Sequence, residues 1–301
     1  MRLLLLGGSG QLGTQLRKFT LPHGIQLIAP TRAAIDLGDP TAIQRLVAAE
    51  RWNIVINAAG YTNVDRAESE EDLAFAINAG AAACLAEETG KHGIPVIHIS
   101  TDYVFDGRKG APYVEQDVAA PLNAYGRSKL AGERRVSAAN PRHVILRAAW
   151  LYSPYGTNFV RTILRLARER ECLTVVTDQM GCPTSAWDLA KACLDIGLLC
   201  ATEPDQKNYG LYHFAGAGAA TRFEFANAIL EQAAGQLGRL PQVIPISTAQ
   251  YPSSVSRPAD SRLDCTAVQH TFGLTPRPWR RALAETIDCI LTSKSSNSLS
   301  R

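Results

Sequence analysis

Tyr125 and Lys129 stand four residues apart in Tyr125-Gly126-Arg127-Ser128-Lys129, so a helix would project both from one face. A phenol and an ammonium placed together can move a proton, because the lysine charge draws the phenolic pKa down from about 10 toward the working pH. Alone, that spacing describes many solvated helix faces. Here it follows the apolar run 95–99, which ends in Ser100-Thr101-Asp102-Tyr103. If that run is a strand, its carboxyl end carries the Thr101 hydroxyl to where it can hydrogen-bond a substrate carbonyl and ease charge development on the oxygen. Thr101, Tyr125 and Lys129 together read as the catalytic residues of a hydride-transfer site. His98, in the same run, reads as a structural core histidine.

Hydride transfer needs a donor, and the chain opens with a sequence suited to hold one. Gly7-Gly8-Ser9-Gly10-Gln11-Leu12-Gly13 follows the apolar run 2–6 and precedes a helix-period stretch. Glycines at 7, 10 and 13 fit a dinucleotide turn: one for the tight turn, one for backbone approach to the pyrophosphate, one for close helix–strand packing. The helix start adds free N–H groups and a positive dipole end. The second strand ends Leu27-Ile28-Ala29-Pro30-Thr31-Arg32, with no carboxylate to take a ribose 2′-hydroxyl. Arg32, beside Thr31, could instead meet a 2′-phosphate, which favours NADPH, or simply point to solvent, which leaves NADH as the alternative. Asp36 and Leu37 are the expected adenine neighbours. Asn57-Ala58-Ala59-Gly60 gives small residues where backbone passes near the cofactor.

Stepping the residues of the N-terminal half by period gives strands at 2–6, 26–28, 53–56, 95–99 and 143–146. Helices are expected at 11–19, 40–50, 67–92 and 122–139. Buried strands joined through helices imply a parallel, doubly wound α/β sheet of Rossmann-like form, with ligands at the strands' carboxyl ends. Residues 1–152 are therefore assigned to a dinucleotide-binding domain, to which some later segments could return. Beyond 152 the pattern loosens. Helices at 158–170, 186–199, 222–234 and 280–292 are separated by stretches rich in proline and glycine, as a smaller, loop-rich substrate domain over 153–292 would be. The polar, serine-rich segment 293–301 reads as a disordered tail.

The whole-chain totals limit the partners. A net charge of +3, from 31 basic and 28 acidic residues in 301, is too small for a nucleic-acid-binding field. The leucines at 3–6 break at once into glycines and serine, so they read as a strand rather than a signal peptide. No apolar run approaches the roughly 18 residues of a membrane span. Seven cysteines without a CxxC pair speak against a disulfide framework or a zinc site and suit a reducing, cytoplasmic setting.

Three blocks, 100–107 (Ser-Thr-Asp-Tyr-Val-Phe-Asp-Gly), 121–126 (Pro-Leu-Asn-Ala-Tyr-Gly) and 129–133 (Lys-Leu-Ala-Gly-Glu), give the chain a family likeness. It resembles the dTDP-4-dehydrorhamnose reductases, from the first glycine turn to about Leu291. Further matching blocks lie at 57–65, 147–152, 181–184 and 256–263. The resemblance implies NAD(P)H-dependent reduction of the 4-keto group of dTDP-4-dehydro-L-rhamnose, the last step in making dTDP-L-rhamnose. It implies that Tyr125 protonates O4 while Lys129 holds the nicotinamide ribose and depresses the tyrosine pKa. By the same resemblance, Gly10, Gln11 and Leu12 bind the diphosphate of the cofactor and Asp36 and Leu37 its adenosine end. Gly60, Tyr61 and Thr62 would lie on the nicotinamide side. Thr101, Asp102 and Trp150 would touch the sugar nucleotide. Read from its own chemistry, Trp150 could equally be core. Arg257 could bind the substrate diphosphate bidentately or form a structural ion pair.

Some members of the family join two subunits through Mg²⁺ held by glutamates, one in the first helix and one in the helix after the proline-threonine turn. The matching positions here appear as Gln15 and Trp187. Hard cations want carboxylate oxygens, so bound Mg²⁺ is doubtful and a monomer or weak homodimer is expected. Two other readings compete. The methionine adenosyltransferase beta subunit resembles the same family and binds NADP as a regulatory subunit. An epimerase or 4,6-dehydratase acting on another nucleotide sugar is the second; there an Asp-Glu pair usually follows the threonine, whereas Tyr103 follows Asp102 here.

Overall fold

The first strand shows how the fold divides its leucines. In a strand, alternate side chains point to opposite faces. Leu3 and Leu5 join Leu12, Leu16, Leu189 and Ile196 in one buried cluster, and Leu4 and Leu6 join Ile43, Val47, Leu85 and Val136 in another. All four leucines are 0–2% exposed, and burying each contributes roughly 1.5–3 kcal/mol. A strand apolar on both faces must lie between two helical layers. The computed structural model shows this arrangement; it describes residues 1–203, 205–253 and 255–298, with side chains described as far as Thr292.

The central sheet has six parallel strands. From one edge they run Gly210–His213, His143–Ala148, Val96–Thr101, Ile54–Asn57, Arg2–Leu6 and Gln26–Ile28. The chain starts at Arg2–Leu6, passes outward to Gln26–Ile28, then returns to the opposite side at Ile54–Asn57. That reversal opens a crevice at the carboxyl ends of the first and third strands, where ligands bind in such sheets. The first helix, Gln11–Lys18, and the later helix Ala186–Thr202 cover one face. Pro40–Ala48, Ala82–Lys91 and Ala124–Ala139 cover the other. Both Gly210–His213 and Ala186–Thr202 lie beyond residue 152 yet pack with the N-terminal elements.

A second core gathers Tyr152, Ile163, Phe225, Ile229, Trp279 and Ile287 between the helices Phe159–Glu169, Arg222–Leu237 and Trp279–Ser298. The parallel pair Cys172–Val176 and Gln242–Ile246 flanks them. That last helix is helical through Ser298, so backbone at 293–298 of the expected tail is helical and 299–301 lie outside the described residues.

One expected element differs in form. The stretch 67–92 is a series of pieces: Val64–Ala67, Glu71–Phe75, a π-helix at Ala76–Ala81, and Ala82–Lys91. The widened turn carries Asn78, 1% exposed. Its amide bonds both the N–H and the C=O of Tyr61, at 2.8 and 3.0 Å, and the Ser128 hydroxyl at 2.9 Å. Three inward bonds offset the weaker π-turn geometry, and the 3.6-residue apolar period cannot show them.

Candidate functional site

The glycine turn has the shape expected for a phosphate cradle. Gly7 has φ +80°, and a Cβ there would come within 2.5 Å of the Ala59 nitrogen. A Cβ on Gly13 would lie 2.1 Å from the Gly7 oxygen, so only glycine lets helix and strand approach this closely. Gly10 caps the first helix with no side-chain hydrogen bond, and the first turn has no acidic residue. Its N–H groups and dipole are therefore left for an anion. Leu12 is buried and anchors the turn, while Gln11 leaves its Oε1 buried without a partner. A shaped cradle with uncommitted backbone donors fits a dinucleotide diphosphate.

Thr31, Arg32 and Asp36 are exposed and Leu37 is half-buried, along the rim after the second strand. Asp36 Oδ1 accepts a 2.9 Å bond from the Gly38 N–H. Ala58 and Ala59 continue from the third strand, with the Ala59 N–H bonded to Asn57 Oδ1 at 3.2 Å. Gly60 and Thr62 are exposed, and Tyr61 is fixed by Asn78 and by its own 2.5 Å bond to Glu70. Asn57 also donates to His98 Nδ1 at 3.1 Å. His98 is 1% exposed, and burial, with the Lys129 charge behind it, holds it well below the ordinary histidine range. It is a neutral core group, as the sequence suggests.

Thr101 is the last residue of its strand, aligned with Ala148 on the neighbouring strand. Its hydroxyl accepts from the Tyr103 N–H and donates to Asp102 Oδ1, both at 3.2 Å. The helix Ala124–Ala139 starts at Asn123, whose Oδ1 accepts from the Gly126 N–H at 2.8 Å. Asn123 Nδ2 reaches across to the Ser256 carbonyl at 2.9 Å, and Glu68 takes the Ala124 N–H at 2.7 Å. The helix that carries Tyr125 and Lys129 is thus held at its start by its own cap and by two other segments, as a site built on a rigid element requires. Farther along, a Cβ on Gly132 would lie 2.1 Å from the Asn78 oxygen, so the helix presses directly on the π-turn.

Lys129 is 4% exposed and donates to the Ile99 carbonyl at 2.5 Å. A Cβ on Gly60 would stand 3.9 Å from its ammonium, which places the charge beside the 60–62 segment. Burial pulls its pKa down to about 8, against the attraction of Glu133. Glu133 is itself held by Arg147 at 2.7 and 2.9 Å and by the Ser100 hydroxyl. Tyr125 lies edge-on to Tyr103, with ring centroids 5.7 Å apart. Its phenol differs from the sequence expectation. Burial raises it well above the ordinary value, with the Thr101 hydroxyl opposing and Asp102 and Tyr103 adding to the rise. In the protein alone desolvation sets the direction, and Lys129, whose ammonium is engaged by the Ile99 carbonyl, is not among the groups that act on the phenol.

Among the residues expected to meet the substrate, Asp102 is 2% exposed and leaves Oδ2 buried without a partner. Burial lifts its carboxyl to about 6, with Ser261, Arg222 and Thr101 opposing. Trp150 is half-buried at φ +45°, a conformation that costs a side-chain-bearing residue about 1–3 kcal/mol. Arg257 bonds Asp65 and Ser253, each at 2.7 Å. Sequence reasoning missed Asn78 and Arg222. Neither belongs to a motif, and only the fold brings them to the site.

Gln15 is buried, and Trp187 is 42% exposed with its ring 5.3 Å from that of Phe19. Among the described residues no group of three or more His, Cys, Asp or Glu side chains is placed to hold a metal ion. No helix among them is long and apolar enough to cross a membrane.

A family model described as the RmlD substrate binding domain matches residues 1–291. The dTDP-4-dehydrorhamnose reductase of Aggregatibacter actinomycetemcomitans is 41% identical over 285 residues, covering 94% of this chain and 97% of that protein. The solved structure of a dTDP-4-dehydrorhamnose reductase from Clostridium acetobutylicum superposes with a TM-score of 0.89 at 36% identity, over 96% of this chain and 99% of that one. The Bacillus anthracis dTDP-4-dehydrorhamnose reductase, solved in complex with NADP, gives a TM-score of 0.88 at 35% identity over 95% and 98%.

Proposed function

The chain belongs to the dTDP-4-dehydrorhamnose reductase family, and from that premise we propose what each group at its site does. The protein reduces the 4-keto group of dTDP-4-dehydro-L-rhamnose to give dTDP-L-rhamnose. NADPH, when bound, supplies the hydride that C4 receives. Gly7, Gly10, Gln11 and Leu12 hold its diphosphate, Thr31, Arg32, Asp36 and Leu37 its adenosine end, and residues 58–62 the nicotinamide side.

The observation that supports the assignment of roles is the placing of Thr101, Tyr125 and Lys129 around the end of one strand and the start of one helix. Thr101 closes its strand, Tyr125 lies within the influence of its hydroxyl, and the buried Lys129 ammonium stands beside Gly60. A reduction needs a proton donor that still holds its proton when substrate arrives. The raised Tyr125 phenol meets that need. As the C4–O4 double bond becomes a single bond, Tyr125 gives its proton to O4. Thr101 hydrogen-bonds the same oxygen and stabilises its developing charge. An ammonium has three donors; with one committed to Ile99, Lys129 offers the others to the nicotinamide ribose, and its charge stabilises the phenolate left on Tyr125. Asp102, with its free Oδ2, accepts a sugar hydroxyl. Trp150 forms a wall for the sugar.

The chain is proposed to act in the cytoplasm, as a monomer or weak homodimer, since neither Gln15 nor Trp187 offers the carboxylate oxygens that a bridging Mg²⁺ prefers. The deciding experiment follows NADPH oxidation with enzymatically prepared dTDP-4-dehydro-L-rhamnose, for wild type and Tyr125→Phe. The variant should lose about 10²-fold or more in kcat while its NADPH affinity stays within about twofold, because the hydroxyl is lost and the fold is kept. Tight NADPH binding by the wild type without turnover would overturn the reaction, and full turnover by Tyr125→Phe would overturn the role of the phenol.

A further inference from the structure

Arg222 occupies a position that ordinary stability would not choose for a cation. It is the first residue of the helix Arg222–Leu237, where the positive end of the dipole disfavours a positive charge. Among the described residues no carboxylate lies within ion-pair distance of it, and Asp102 acts on it only at longer range. Burial works against its charge, and the neighbouring Arg257 adds repulsion.

The side chain is nevertheless firmly placed. Its guanidinium carbon lies 3.5 Å from the centroid of the Trp150 indole and 5.2 Å from that of Phe159. Gly181 backs the same indole so closely that a Cβ there would come within 2.4 Å of the ring. The Thr221–Glu224 capping box fixes the start of the helix that carries Arg222. Arg257 is held by Ser253 and by Asp65, which is itself 63% exposed. The Tyr103 phenol feels both guanidinium groups. Two arginines that repel each other are thus held around one tyrosine, next to Asp102 and Trp150. One partner relieves both together: a ligand carrying two separated negative charges.

We propose that Arg222 and Arg257 together seat the diphosphate of the sugar nucleotide, and that Arg222, lying on Trp150, joins this anion seat to the wall of the sugar pocket. This rests on the reductase reading for the identity of the substrate. Arg222 is a binding residue that sets specificity for a nucleoside diphosphate, while proton and hydride movement belong to the groups already described. The strained Trp150 backbone and the stacked guanidinium occur at the same residue. Cation–π contact with a desolvated indole compensates the arginine until the anion arrives.

The test compares wild type, Arg222→Gln and Arg222→Lys, with affinities measured by calorimetry for dTDP, thymidine and NADPH, and with steady-state turnover of the keto-sugar nucleotide. A charge-assisted bond of the usual strength predicts a rise of about 10- to 100-fold in the dTDP dissociation constant and in KM for Arg222→Gln. Thymidine and NADPH affinities and kcat should stay within about threefold. Arg222→Lys, which keeps the charge but neither the planar fork nor the stacking, should fall between the two. Unchanged dTDP affinity in Arg222→Gln overturns the proposal. So does an equal loss for thymidine and dTDP, which would mean packing through Trp150, or a parallel loss of NADPH affinity in both variants, which would mark a structural residue. Normal wild-type turnover with an unaffected Arg222→Gln sinks this inference alone. Arg222-dependent dTDP binding by a wild type that does not turn over sinks the reaction and leaves this inference standing.

Discussion

Asp102→Asn should make the protein more stable near neutral pH while it impairs substrate binding. Asp102 is 2% exposed, its Oδ2 has no partner, and burial lifts its carboxyl from 3.8 to about 6. The folded protein therefore holds this proton more tightly than the unfolded chain. Between about pH 4 and 6 it binds more protons than the unfolded state, so this group lowers stability as pH rises through that window. At about 1.4 kcal/mol per pH unit, a displacement of about two units is a penalty of about 3 kcal/mol, fully present above about pH 6. Asparagine has no charge to bury, but its amide places an N–H where Oδ2 lacked a partner, which costs about 1 kcal/mol or more. The balance is a gain of about 1–2 kcal/mol at about pH 7.5 that vanishes or reverses near pH 4. Urea denaturation of both proteins at several pH values measures it, and groups common to both cancel in the difference. That difference should change by about 3 kcal/mol in favour of asparagine between about pH 4 and 7. A flat difference, or one that moves against asparagine as pH rises, refutes the reasoning. Loss of the carboxylate acceptor should meanwhile raise KM for the sugar nucleotide.

Lys129 and Glu133 give two further predictions. Burial brings the Lys129 ammonium to about 8, so its charge is present below that pH and lost above it. NADPH affinity of the free protein should fall as pH rises through about 8, whereas Lys129→Arg, always charged, should show no such limb; a wild-type affinity that is level to about pH 9.5 contradicts this. The folded pKa is depressed, so the unfolded chain binds more protons between about 8 and 10.5 and this group's contribution to stability rises with pH there. Glu133→Gln leaves Arg147, whose side chain is 4% exposed, buried without its carboxylate. That should cost about 3–5 kcal/mol in urea denaturation, and a loss under about 1 kcal/mol would show that Ser100 and the surrounding dipoles carry the arginine alone.

Features set by neighbours in sequence were legible in sequence. The glycine turn had to follow a strand and open a helix, and residues 2–13 contain all that this requires. The strand at 2–6 was readable for the same reason, since a strand buried on both faces is a short apolar run between breakers, and the short edge strand at 26–28 follows it as a smaller apolar run. Tyr125 and Lys129 could be placed on one helix face from their spacing, and Thr101 at a strand end from the run before it. What the chain does not spell out is which residues distant in sequence meet. Arg222 is 72 positions beyond Trp150, yet it lies on the indole. Asn78 sits in a stretch whose period reads as an unbroken helix, and the π-turn that aims it at Tyr61 and Ser128 exists because those partners are there.

The same limit explains why the direction of the Tyr125 shift was not legible. Spacing shows that a lysine is near a tyrosine, and proximity alone predicts a lowered phenol. Burial acts on both groups in opposite senses: it raises the phenol and lowers the ammonium to about 8. Both changes favour the neutral form of each group in the protein alone. In the proposed mechanism, proton transfer from Tyr125 leaves a phenolate, and the charge on Lys129, one helical turn on, attracts it. Desolvation raises the cost of either charge by itself and strengthens the attraction between the two. In the mechanism proposed above, the pair holds the proton on Tyr125 until charge develops on the substrate oxygen, and Lys129 contributes most after the proton has left.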